Sequence, residues 1–91
     1  MKKSLRLHIT GNIQSMFFEH FIKENADRLE VKGYLRRLED GRAEIFLEGD
    51  NTKVDEMAII SKRGPQHTQI RKTEEKPESF QGFKEFKILR I

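Results

Sequence analysis

The sequence predicts an α+β fold in which two helices cover one face of an antiparallel sheet. Three observations carry that prediction. Leu5, Leu7 and Ile9 alternate with Arg6, His8 and Thr10, which is strand period. Phe18, Phe21, Ile22, Ala26 and Leu29 follow at helical spacing. The same order then returns, with Ala43, Ile45 and Leu47 on one face of a strand leading to Val54, Met57, Ala58 and Ser61 on one face of a helix.

Ninety-one residues are expected to form one domain, 1–91. Seven Phe supply burial area for a single modest core of two packed layers. Charged residues make up 36%, and 18 Lys and Arg against 15 Asp and Glu leave a net charge of only +3. A balance so mild and so evenly mixed argues against a specific nucleic-acid partner. There is no cysteine, so disulfides, thiolate chemistry and zinc–thiolate sites are excluded, and a cytoplasmic location is expected. No apolar run reaches membrane-spanning length, and Met1-Lys2-Lys3 is not followed by a signal-peptide core, so no membrane partner is expected.

Taken in order, the first strand is expected over Ser4–Thr10 and the first helix over Phe17–Leu29. His8 reads as a solvated residue on the polar strand face. Glu19–Lys23 and Glu24–Arg28 stand four residues apart with the acid first, the favourable order on a helix. A second strand is expected over Val31–Leu38, and Asp40-Gly41 is a type I′ hairpin signal before a third strand at Ala43–Glu48. Thr52-Lys53-Val54-Asp55 resembles a capping box for the second helix, which Arg63-Gly64-Pro65 ends. A strand at Gln66–Thr73, a polar segment at Glu74–Ser79 and a last short strand marked by Phe83, Phe86 and Ile88 complete the chain. The order βαββαβ plus a short C-terminal strand is the ferredoxin-like arrangement.

One stretch holds candidate chemistry. Gly11 ends the first strand, and Gln14, Ser15, Met16, Phe17 and Phe18 lead into the helix. Backbone N–H groups gather at such a junction and the helix dipole favours an anion, so these five residues read either as a phosphate- or carboxylate-binding loop or as a plain βα connection. Other chemistry is weakly supported. His8, His20 and His67 lack metal-ligand spacing, so neither a metal nor another cofactor is expected. Ser15 has no identifiable His–Asp support as a nucleophile.

The series Ile9-Thr10-Gly11-Asn12-Ile13-Gln14-Ser15-Met16-Phe17-Phe18 resembles the acylphosphatase loop, V-x-G-x-V-Q-G-V-G-F-R. Val31-Lys32-Gly33-Tyr34-Leu35-Arg36 resembles that family's G-L-x-G-W-V-R strand, Asp40-Gly41-Arg42-Ala43-Glu44 its D-G-x-V-E, and Glu48-Gly49 its E-G. Gly64-Pro65 and Phe86-Lys87-Ile88 match its G-P and F-x-I. The resemblance runs through nearly the whole chain in order, and it implies the fold already drawn from periodicity.

It also implies hydrolysis of the carboxyl–phosphate bond of acyl phosphates without metal or cofactor. In the family, loop amides and an arginine at the start of the first helix hold the phosphate, and an asparagine at the end of the second strand orients water. Here those two positions are Glu19 and Arg37, and Ser15 and Phe17 replace two loop glycines. A carboxylate in place of the phosphate clamp repels the substrate. The expectation is therefore a degenerate active site in which hydrolysis is lost or strongly reduced, in a module that binds a small anion or a protein partner. The alternative is an active acylphosphatase with a rearranged site, Arg37 taking the phosphate and Glu19 or Gln14 ordering the water. The resemblance implies that the side chains at these two positions face one pocket, so Glu19 and Arg37 read either as an ion pair, with Arg37 holding the anion, or as two solvated surface charges.

Overall fold

Alternation along β1 (Lys2–Gly11) sends Leu5, Leu7 and Ile9 to one side, where all three are buried. The structure is a computed structural model that describes residues 1–90. After β1 come α1 (Met16–Arg28), β2 (Lys32–Arg37), β3 (Ala43–Asp50), α2 (Asn51–Arg63), β4 (Ile70–Pro77) and β5 (Phe86–Leu89). The sheet runs β4-β1-β3-β2-β5. The first four of these pair antiparallel, as expected for the ferredoxin-like fold. β5 joins β2 in parallel, so the complete sheet is mixed.

The core lies between the sheet and the two helices. Phe18, Ile22 and Ala26 of α1, Val54, Met57 and Ala58 of α2, and Ile45 and Leu47 of β3 close on β1. Burying each large apolar side chain here contributes about 1.5–3 kcal/mol relative to exposure. The helix spacing read from sequence is borne out, with Phe21 half-buried at the margin.

Gly33 is required by a close approach: a Cβ on it would lie 1.8 Å from the Phe46 carbonyl oxygen, and its φ is +137°. The β2–β3 hairpin is not type I′, which needs positive φ at both central residues. Gly41 donates to the Leu38 carbonyl (3.0 Å) and only Gly41 of that turn has positive φ. The loop is thus a tight turn followed by a left-handed glycine, with Leu38 donating to Arg42 across it (2.8 Å).

Three other expectations shift. The N-cap of α2 is Asp50, and Thr52 lies inside the helix with its hydroxyl donating to Asp50 (2.8 Å). The strand expected over Gln66–Thr73 is β4, Ile70–Pro77, so it takes in most of the polar segment at Glu74–Ser79. As an edge strand β4 is largely exposed on both faces, which removes the apolar alternation that marks a strand, and Pro77 is tolerated at its end. Phe83 precedes β5 in a loop that folds over the helix-free face, where it meets Tyr34 and Phe46 with ring centroids 5.7 and 5.3 Å apart. Tyr34 therefore belongs to a second apolar cluster, outside the main core.

Candidate active site

The end of β2 delivers Arg37 to the first turn of α1. Phe18 faces the core, and the next residue on the helix, Glu19, turns toward β2 and is only 4% exposed. Arg37 Nε donates to Glu19 Oε2 at 3.0 Å. Arg90, which follows β5, donates through one NH2 group to Glu19 Oε1 at 2.8 Å. β5 runs beside β2 with Arg36 opposite Leu89, and this register sets Arg90 next to Arg37. One buried carboxylate thus binds two guanidinium groups. A negative side chain in the first turn is also favoured by the helix dipole.

The i,i+4 pairs expected on α1 do not form. Glu19 is taken by the two arginines, and Lys23 instead reaches Asp27 (2.9 Å) and the Phe86 carbonyl (3.1 Å). Arg28 donates to Asn25 rather than to Glu24.

Arg37 spends its other two nitrogens on the loop. One terminal nitrogen donates to the Ile13 carbonyl and the other to the Ser15 carbonyl at 3.2 Å. All three guanidinium nitrogens therefore have protein acceptors. This ties two loop carbonyls to the end of β2. Of Gln14, Ser15, Met16, Phe17 and Phe18, only Phe18 donates its backbone N–H within the described chain, to Ser15 at 3.2 Å. Ser15 is the N-cap of α1 and makes no side-chain cap bond. Gln14, Ser15, Met16 and Phe17 are exposed, whereas Phe18 is core.

The replaced loop glycines do not strain this backbone. Ser15 has φ −80°, and Phe17 is not among the residues of positive φ. The Phe17 ring is 82% exposed and leaves the loop open. A cavity of about 240 Å³ lies at these ion pairs, lined by Glu19, Arg37, Leu89 and Arg90.

A second polar cluster occupies the helix-free face. His8 is not solvated as expected: it bonds the buried Glu44 at 2.9 Å, and Tyr34 (2.7 Å) and Arg36 (2.8 Å) donate to the same carboxylate. Burial pushes the Glu44 carboxyl up, but these hydrogen bonds and the Arg36 charge outweigh it and hold the group at about 2. Burial and the bond to Glu44 in turn push Tyr34 up to about 12. Nearby, Glu48 accepts backbone N–H groups from Gln81 (2.6 Å), Gly82 (2.8 Å) and Phe83 (2.9 Å), and the Ser4 hydroxyl as well. Glu44 and Glu48 alternate with Ile45 and Leu47, a pattern that reads simply as a solvated face, so sequence reasoning passed over both. His20 and His67 are exposed, and no cluster of metal-ligating side chains exists among the described residues.

A family model described as Acylphosphatase matches residues 5–88. An acylphosphatase of Rubrobacter xylanophilus is 38% identical over 79 residues, covering 85% of this chain and 72% of that protein. One of Pseudomonas aeruginosa is 33% identical over 86 residues, 94% of each chain. The acylphosphatase structure from Bacillus subtilis superposes with a TM-score of 0.90 at 24% identity, over 99% of this chain and all of that one.

Proposed function

Because the chain belongs to the acylphosphatase family, we propose that residues 1–91 form one acylphosphatase domain that hydrolyses the carboxyl–phosphate bond of acyl phosphates at a rearranged site. The observation that carries this reading is the Glu19 carboxylate held between Arg37 and Arg90, tied through Arg37 to a loop whose amides at Gln14–Phe17 donate to no backbone acceptor among the described residues. One carboxylate against two guanidinium groups leaves a single net positive charge. The arginine and asparagine that the resemblance assigns to the family's site carry the same total. The inverted sign at Glu19 is thus compensated locally, and the pocket still attracts a phosphate.

An acyl phosphate has a good leaving group, so positioning and fixed dipoles supply the catalysis that is needed. The amides of Gln14, Ser15, Met16 and Phe17 hold the phosphoryl oxygens. Arg37 acts as a positioning residue, fixing the loop through the Ile13 and Ser15 carbonyls. Each oxygen of Glu19 accepts from an arginine, which makes it an anchor for cations. The exposed Gln14 side chain is left to order the attacking water. The water oxygen bonds phosphorus, the bond from phosphorus to the acyl oxygen breaks, and the carboxylate leaves without needing a proton. The water's protons pass to phosphate and solvent.

Relatives named acylphosphatase favour this reading over loss of hydrolysis. One observation favours the second reading, a module that binds an anion without turnover: every nitrogen of Arg37 already has a protein acceptor. Initial rates of benzoyl phosphate hydrolysis separate the two. Turnover above the buffer rate, reduced by Arg37→Ala, is expected; a rate equal to buffer across pH would remove the enzyme reading.

A further inference from the structure

We propose that Arg90 is the side chain that grips the phosphoryl group, carried into the pocket by the segment after β5 and moored there by Glu19. The inference rests on the acylphosphatase reading for what the anion is, but its geometry is independent of turnover.

Two arginines face the pocket, and they differ in what they have left to give. Arg37 is saturated by Glu19 and two loop carbonyls. Arg90 makes one described hydrogen bond, from one NH2 group to Glu19, and its side chain is 62% exposed against 26% for Arg37. A guanidinium carries five N–H donors in a planar fork, so mooring one edge leaves others aimed at solvent and matched to two phosphate oxygens. Arg90 lines the same cavity of about 240 Å³ as Glu19 and Arg37. Parallel pairing of β5 with β2 fixes its position along the sheet.

Glu19 gains a purpose from this arrangement. At the helix N-terminus it cannot clamp phosphate itself. Its two oxygens instead select two cations, one that ties down the loop and one that stays half free. The clamp has moved from α1 to the chain segment after β5, with Glu19 as its mount.

The test uses the whole protein and two readouts. Inorganic phosphate is titrated while the backbone amide signals of Gln14–Phe18 are followed by NMR, and benzoyl phosphate kinetics are measured in parallel. Arg90→Ala is compared with Arg90→Lys and with Lys87→Ala, which removes the same charge from β5 away from the pocket. Arg90→Ala is expected to weaken phosphate binding and raise KM by roughly tenfold to a hundredfold, the size of a charge-assisted hydrogen bond. Arg90→Lys is expected to recover part of this loss, and Lys87→Ala to stay within about twofold of the parent. Hydrolysis by the parent with Arg90→Ala indistinguishable from it in KM and phosphate affinity overturns the inference and leaves the enzyme reading standing. Phosphate binding that Arg90→Ala abolishes in a protein without turnover does the reverse. A parent protein whose loop amides do not respond to phosphate at all overturns both.

Discussion

The Glu19 carboxylate lies 3.0 Å from Nε of Arg37 and joins the first turn of α1 to the last residue of β2. These are the two positions onto which the resemblance maps the family's arginine and asparagine. An arginine at both positions would crowd cations beside Arg90, whereas the Glu19 carboxylate accepts from both Arg37 and Arg90. Removing one partner of a buried pair costs about 3–5 kcal/mol when nothing replaces it. Here Arg90 stays on Glu19, so Arg37→Ala is expected to cost less, about 2 kcal/mol, as read from urea unfolding. The same variant frees the Ile13 and Ser15 carbonyls, so loop amide exchange is expected to quicken.

Reversing both charges is the complementary test. Glu19→Arg with Arg37→Asn places a cation on α1 and a neutral amide on β2. The pocket gains one positive charge, and a guanidinium free of loop carbonyls faces the amides. Its kcat/KM on benzoyl phosphate is expected to rise by about tenfold, the worth of one well-placed charge-assisted contact. No gain over the parent would mean that the parent's own two arginines already do this work.

The Glu44 cluster predicts a pH dependence. Its carboxyl is held at about 2 in the folded chain, below its ordinary value of 4.5. A depressed folded value means that the stabilisation is complete above the ordinary value and is lost as pH falls from there toward about 2. Glu44→Gln is expected to remove about 2 kcal/mol at neutral pH and to flatten the acid side of the stability profile between those limits. It also relieves Tyr34. The chain has one tyrosine, so ultraviolet titration reads it directly, and its value is expected to fall from about 12 toward 10.

Glu48 makes a separate demand on the loop before β5. Three consecutive amides, of Gln81, Gly82 and Phe83, converge on it and hold the Phe83 ring against Tyr34 and Phe46. Burial raises the Glu48 carboxyl, and these amides with Ser4 more than reverse the shift. Glu48→Ala orphans the three donors at a cost of about 1–3 kcal/mol. Amide exchange at Gln81–Phe83 is expected to rise well before that of β3; protection equal to the parent would show that aromatic packing alone holds the loop.

The parts of this chain legible in its sequence are those that alternate. Leu5, Leu7 and Ile9, the α1 stripe and the Val54–Ser61 stripe each bury one face, and periodicity finds them. β4 was placed over Gln66–Thr73, four residues early at each end, because an edge strand with two wet faces has nothing to alternate. Of the site, Glu19 and Arg37 were visible as substituted positions in an ordered resemblance. Arg90 was not, since its position depends on a parallel pairing between residues far apart in sequence. Glu44 and Glu48 were hidden because a buried carboxylate with donors from other segments has the same sequence signature as a solvated one.

The loop itself offers the sharpest separation between charge and backbone as the limit on rate. Ser15 and Phe17 stand where the resemblance has glycines, and a need for positive φ would make them obstructive. The structure removes that objection: Ser15 is extended, Phe17 is helical, and the Phe17 ring points into solvent. Ser15→Gly with Phe17→Gly therefore gains no required conformation. It forfeits backbone restriction at the cap and first turn of α1, at about 0.5–1 kcal/mol for Phe17 and a few tenths for Ser15. The double glycine variant is expected to melt lower and to hydrolyse benzoyl phosphate no faster than the parent, whereas Glu19→Arg with Arg37→Asn hydrolyses it faster. A faster double glycine variant would place the limit in the loop backbone, and the charge exchange between α1 and β2 would then be incidental to rate.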